Sequence, residues 1–157
     1  FWPVSFDDFK AKINFRTIEN NEIKISDSMH IKSQIHHHPH GALSYKILSH
    51  HKSISYITDC EYLSGEPSDK LIQFATNSDL LIHDAHFTEE DLPNHKGWGH
   101  SSWKQATTMA QKSNSKQLAL YHYSPNYNDA QITTIESDAK KVFTQTIAAK
   151  QGLVIYL

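Results

Sequence analysis

Cysteine is all but absent: Cys60 is the only one in 157 residues. An internal disulfide is impossible and a cysteine-rich zinc module is excluded. A reducing, cytoplasmic setting fits that usage. No apolar run approaches the roughly 20 residues that a membrane-crossing helix needs, and no secretory leader is recognisable. Lysine and arginine are scattered and the formal net charge is −2, so no basic block marks a binder of long polyanions. Internal repeats, linkers and low-complexity segments are missing, apart from one histidine run. The first residue is not methionine: Phe1-Trp2-Pro3-Val4 reads as protein interior, so the chain is expected to be a fragment or a processed form.

Histidine is what the chain has. There are twelve, far more than packing needs, and His36-His37-His38-Pro39-His40 places four in five positions. Imidazole is the commonest protein metal ligand and titrates nearest neutral pH. A composition 38% hydrophobic and 20% charged is that of one folded domain with a real core, taken as residues 1–157.

Ser5 with Asp8 three residues on predicts a capped helical turn with Phe6 and Phe9 on its buried face. Alternation predicts strands at 12–16, Glu22–Ser26 and His30–His36, with Asp27-Ser28 turning between the last two. Leu43–Leu48 and Ser53–Thr58 read as a hairpin whose second strand ends at Asp59. Helices are expected at Pro67–Thr76, from Ser101 to about Lys112 with Trp103, Ala106, Met109 and Ala110 inward, and from Asp129 to about Val142 with Ile132, Ile135, Ala139 and Val142 inward. A helical turn at Thr88–Asp91 precedes a loop at Pro93–Gly99. Short apolar strands are expected at Asp79–His83, Gln117–Tyr123 and Leu153–Leu157. This order predicts a layered α/β domain with helices on at least one sheet face.

Three strands run out into ionisable residues: Asp59, His83-Asp84 and His122. That edge is where α/β sheets build sites. One such residue would be an ordinary surface acid or a hydrogen-bonded histidine; three, with the histidine run, favour a shared site. Imidazole and carboxylate suit a divalent transition metal. A carboxylate can bridge two ions, and a water between them loses a proton near neutral pH. His100, just before a helix, reads either as a loop residue that helps cap it or as an acid that protonates a leaving group. Trp98 and Trp103 read as packing residues and Cys60 as a small buried hydrophobe. His30, His36, His37, His40, His50 and His51 read as solvated or weak metal binders; His86 could reach the site.

These motifs, in this order, resemble the C-terminal portion of a metallo-β-lactamase-fold hydrolase, of the branch that includes ribonuclease Z and related phosphodiesterases. The resemblance runs from about Lys32 to Asn128, and Ala148–Leu157 fits the end of such a domain. In that branch a histidine lies seven residues before the tyrosine of a Gly-Tyr pair. Counting back from Tyr45 reaches His38, although Ser44 replaces the glycine. Asp59 resembles the bridging aspartate. His83-Asp84-Ala85-His86-Phe87 resembles His-Glu-Ala-Thr-Phe, with His86 in place of threonine. His100-Ser101-Ser102 resembles His-Ser-Thr, and His122 resembles the last metal ligand. The resemblance implies an αββα sandwich, held here mainly as its C-terminal half. It implies two Zn2+ ions in the intact parent, with Mn2+ or Fe2+ as substitutes. His38, Asp59 and His122 would be metal ligands, and Asp84 with His100 the catalytic pair that donates a proton. It also implies a homodimer, since members are often dimeric.

The branch's first ligand block, His-x-His-x-Asp-His, occurs nowhere in this sequence. At most three of the expected ligands are therefore present. The chain is expected to lack its N-terminal half, to leave one sheet face uncovered and to bind metal weakly alone. Only 13 residues (46–58) separate Tyr45 from Asp59, too few for the tRNA-gripping arm that some ribonuclease Z proteins insert there. A small phosphodiester or cyclic nucleotide is favoured over tRNA. The competing readings are a non-catalytic binding domain on the same scaffold and, more weakly, a histidine-rich metal-storage module around His36–His51.

Overall fold

The computed structural model describes residues 5–14 and 21–157. Seven strands form one sheet in sequential order: β1 (Glu22–Ser26), β2 (Met29–His36), β3 (Ala42–Ser49), β4 (Lys52–Ile57), β5 (Leu80–Asp84), β6 (Leu118–Tyr121) and β7 (Thr146–Ala148). β1 to β4 are an antiparallel meander, turning at Asp27-Ser28 and His50-His51. From β4 onward the pairing is parallel. Parallel neighbours need crossovers, and here each crossover carries a helix: α1 (Asp69–Ala75), α2 (Trp103–Lys112) and α3 (Asp129–Val142).

Each crossover advances one strand in the same direction. Crossovers of one hand that all advance the same way put their helices on one face. The three helices accordingly share one core: Leu71 and Ala75 of α1, Ala106, Met109 and Ala110 of α2, and Ile135 and Ala139 of α3 pack with Ile57, Leu81, Leu118 and Leu120. The opposite face is apolar as well. Register aligns Ile31, Ile47, Ile54 and Leu80 in one row, and Tyr45, Tyr56, Ile82, Ala119 and Ile147 in the next. None of these belongs to the helix-side core. On this face Ile35, Leu43 and Tyr121 are 65%, 41% and 44% exposed.

Several boundaries differ from the sequence expectation. Ser5 and Asp8 do form a capping box, but it holds only a three-residue 3-10 turn, Phe6–Asp8. A single turn is too short to carry a buried face, and Phe6 and Phe9 are 61% and 44% exposed. No strand forms over Lys12–Asn14. The rest of the expected 12–16 strand lies outside the described residues, as does Phe1-Trp2-Pro3-Val4.

Ser102, not Ser101, caps α2, and Asn128, not Asp129, caps α3. Gln105 and Gln131 stand three residues after those caps and complete reciprocal capping boxes, which sets the helix starts. Val142, at the end of α3, is 41% exposed rather than inward. The helical turn expected at Thr88–Asp91 is present, closed by Leu92 N–H to Thr88 C=O at 3.1 Å, and a 3-10 helix, Leu92–His95, follows it into the expected loop. The last strand is Thr146–Ala148, not Leu153–Leu157. It pairs with β6 soon after α3, and Gly152 (φ +80°) then turns the chain. No helix is long and apolar enough to cross a membrane among the described residues.

Candidate metal centre

The ends of β4, β5 and β6 lie side by side, since Ile57 pairs with His83 and Asp84 with Tyr121. The residues that follow converge there. Asp84 is wholly buried. Its Oδ2 accepts the Asp59 N–H at 3.0 Å and the His100 Nδ1–H at 2.9 Å. Its Oδ1 accepts the N–H groups of His86 at 3.0 Å and Ser101 at 3.4 Å. One carboxylate thus ties together the ends of two strands and the loop that carries His100. Burial works against the charged form of His100, but the Asp84 carboxylate outweighs it, with Asp59 and Glu61 adding, so its pKa lies above the ordinary value.

Asp59 and His122 both sit in the left-handed region, at φ +55° and +58°. That conformation is uncommon for residues other than glycine and persists where surroundings fix it. In each case an imidazole grips the residue's carbonyl. His36 Nε2 lies 2.9 Å from Asp59 O and 3.1 Å from Thr58 O, while its Nδ1 pairs with Ser44 Oγ at 2.7 Å. His86 Nδ1 donates to His122 O at 2.8 Å. The two strand ends then face each other, with His122 Nε2 3.4 Å from Asp59 Oδ1.

His38 reaches the same place from the turn between β2 and β3. Its ring centroid is 6.1 Å from that of His100. It lies against Gly99, where a Cβ would fall 2.1 Å from His38 Cδ2 and 2.7 Å from Nε2. Glu61 secures that loop: its carboxylate accepts Gly97 N–H at 2.6 Å and Gly99 N–H at 3.0 Å. The Ser101 hydroxyl donates to Cys60 C=O. A cavity of about 320 Å³ opens beside His100, lined also by Glu61, Leu63, Lys96 and Gly97.

The sequence-expected residues His38, Asp59, Asp84, His100 and His122 therefore gather at one sheet edge. Donor atoms of His38, Asp59 and His100 lie within 4.8 Å of one another, and so do those of His86, His100 and His122. These imidazole and carboxylate donors fit a borderline divalent ion. His36 is a correction: it is not a solvated histidine but a half-buried brace on Asp59. Trp98 is another: it is 59% exposed, standing on His95 at 4.7 Å, rather than packed inside. Trp103 and Cys60 pack as expected. Glu61 carries no motif and goes unmarked in the sequence. His50 and His51 occupy the β3–β4 turn, seven residues along β3 from its start by His38, about 23 Å at strand rise. A storage cluster spanning His36–His51 has no geometry to support it.

The chain is 39% identical over 84 residues to ribonuclease Z of Thermoplasma acidophilum, a match that covers 54% of this chain and 27% of that protein. It is 33% identical over 110 residues to ribonuclease Z of Azobacteroides pseudotrichonymphae, covering 70% and 36%. The chain thus spans about a third of the length of the curated relatives it matches. Among solved structures, the metallo-β-lactamase fold protein YhfI of Bacillus subtilis superposes with a TM-score of 0.73 at 21% identity, covering 88% of this chain and 54% of that one. Human tRNase Z, short form, does so at 0.67 and 20%, covering 87% and 46%. The profile of the β-lactamase superfamily domain matches residues 3–123, most of the chain, and it is to this family that the chain belongs.

Proposed function

We propose that the parent protein is a metal-dependent hydrolase of a small phosphodiester or cyclic nucleotide, and that this chain carries mainly the C-terminal half of its αββα sandwich. The observation that supports it best is the Asp84–His100 pair beside His38, Asp59 and His122. When bound, divalent ions supply an activated water and polarise phosphoryl oxygens; His38, Asp59 and His122 are the residues here that would hold them. Asp84 keeps the proton on His100 Nδ1, so that a protonated His100 can deliver its Nε2 proton to a leaving oxygen. The cavity beside His100 is at the lower end of the size range for ligand pockets, and Lys96 supplies a cation to its lining.

The two-residue turn between β3 and β4 leaves no room for an RNA-gripping arm there, which favours the small substrate. Precursor tRNA is the second reading, favoured by the identities of 39% and 41% to the ribonuclease Z proteins of Thermoplasma acidophilum and Archaeoglobus fulgidus. The apolar rows on the helix-free sheet face are the surface on which the other half of the sandwich would pack, and a cytoplasmic homodimer is the assembly proposed. Metal analysis of the full-length parent, with turnover assays on bis-p-nitrophenyl phosphate, a cyclic nucleotide and a precursor tRNA, tests this. Bound metal with turnover of the first two supports the reading; turnover of precursor tRNA alone transfers it to RNA processing. No metal and no turnover leave a non-catalytic binding domain.

A further inference from the structure

Trp98 has no part in the metal centre, yet its indole stands 59% exposed only two positions before His100. A single exposed apolar side chain is ordinary on a protein surface. What distinguishes this one is how firmly it is held. Glu61 fixes the N–H groups on either side of it, those of Gly97 and Gly99, and these glycines have φ +83° and +89°. The Trp98 N–H itself donates to His95 C=O at 3.2 Å. The backbone thus keeps the side chain turned outward. The indole also has a foundation. It meets His95 with 4.7 Å between centroids and 90° between planes. His95 stacks on Phe87 at 4.4 Å and 18°, and Phe87 is buried. The His95 ring is fixed in turn, because its Nδ1–H donates to Asp91 C=O at 2.8 Å, and the Asp91 carboxylate accepts from the hydroxyls of Thr88 and Tyr127. Phe87 joins this ladder to the centre: its ring lies 6.4 Å from that of Trp98 and 6.1 Å from that of His100.

We propose that Trp98 is a stacking platform for the nucleobase of a base-bearing phosphodiester, and so the residue that selects nucleotides over base-free diesters. A large aromatic face held in one orientation binds a flat ring with little ordering left to do. Every nucleobase offers such a ring, whatever its sequence. The loop supplies groups for the rest of that ligand. Lys96, exposed and with no carboxylate partner among the described residues, stands two positions before Trp98 and can take a phosphate oxygen. His100 stands two positions after it. Lys96 and His100 line one cavity, with Gly97 between them in sequence. As substrate selection the inference rests on the hydrolase reading; as nucleotide binding it stands without it.

The test is a titration of the full-length parent with adenosine 5′-monophosphate, followed by tryptophan fluorescence and by calorimetry, with ribose 5-phosphate as the base-free probe. Wild type, Trp98→Ala and Trp98→Phe are compared, each checked by circular dichroism. Wild type should bind the adenine nucleotide about tenfold or more tighter than ribose 5-phosphate, with quenching of its fluorescence. Trp98→Ala should weaken the nucleotide by about tenfold or more, the scale of one base stacked on one aromatic ring, and leave ribose 5-phosphate within about twofold. Trp98→Phe keeps an aromatic face, so its affinity should stay within about threefold of wild type while the quenching is lost. No binding of the nucleotide, equal affinity of wild type for both probes, or unchanged nucleotide affinity in Trp98→Ala overturns the proposal. So does quenching that persists in Trp98→Phe, which would place the base by Trp2 or Trp103. Turnover of bis-p-nitrophenyl phosphate without Trp98-dependent nucleotide binding overturns only this proposal; Trp98-dependent binding without any turnover overturns only the hydrolase reading.

Discussion

Gly99 and His38 are in such close contact that no side chain fits between them: a Cβ on residue 99 would stand 2.1 Å from His38 Cδ2. The loop that carries His100 and the turn that carries His38 therefore have their separation set by the absence of an atom. Gly99 also has φ +89°, which an L side chain resists.

Gly99→Ala should move His38 out of the cluster. Gly41→Ala is the natural control, since Gly41 has φ +74° but nothing within 4 Å of its Cβ position. Backbone strain alone should cost Gly41→Ala about 1–2 kcal/mol. Gly99→Ala should cost that and the displacement of His38 and Pro39 besides, about 2–4 kcal/mol in total. Urea unfolding of both variants measures the difference; equal losses would refute the contact.

Asp84→Asn should disconnect the site. An amide at Oδ2 turns a donor toward Asp59 N–H and His100 Nδ1–H, both of which need an acceptor. The expected cost is about 2–3 kcal/mol for losing a buried charged acceptor. Turnover by the full-length parent should fall by about a hundredfold or more if His100 is its general acid. A variant with full activity excludes that role.

Glu61→Gln should loosen the loop selectively. Its carboxylate bonds Gly97 and Gly99 N–H directly, so an amide that keeps one acceptor oxygen should lose one of the two contacts. Hydrogen exchange at Gly97 or Gly99 should rise by about tenfold, equivalent to about 1.4 kcal/mol of local opening, with strand amides unchanged. Uniform protection across the variant would show that the loop is held elsewhere.

Asp79 predicts acid sensitivity at the other end of the sheet. Its carboxylate accepts Lys116 Nζ at 2.8 Å and Ser53 N–H at 2.8 Å. The Lys116 contact, opposed by burial and assisted by Ser53 N–H, holds its pKa below the ordinary carboxylate value. A depressed carboxyl pKa stabilises the fold above the unfolded value of about 3.9, and that contribution is lost as pH falls through the folded-state value. Asp79→Asn should therefore cost about 1–2 kcal/mol at pH 7, with the gap to wild type closing below about pH 4. Melting curves at pH 7 and pH 3 check the sign; a gap that widens in acid would contradict it.

The strands were legible wherever alternation was sustained, as at Glu22–Ser26, and the helices wherever apolar residues recurred at helical spacing. Their starts were less so. Ser101 and Asp129 are good caps taken alone, yet Gln105 and Gln131 moved the caps to Ser102 and Asn128. Leu153–Leu157 looks like a strand, but the edge of β6 had already been taken by Thr146–Ala148. Of the cluster, the strand-end residues and His38 were legible from motif and spacing. His36 looked like one more solvated histidine, because nothing local records that its ring spans Ser44 and the Asp59 carbonyl.

Sequence alone determined the residue types, their order and the family to which they point, because periodicity, capping and motif spacing act over a few neighbouring positions. Only the tertiary structure decided that the helices share one face, that Glu61 and Gly99 set the place of His38, and that His86 joins His100 and His122. Those relationships join residues tens of positions apart in the chain. They depend on crossover direction and strand register, which bring separate strand ends to a single edge.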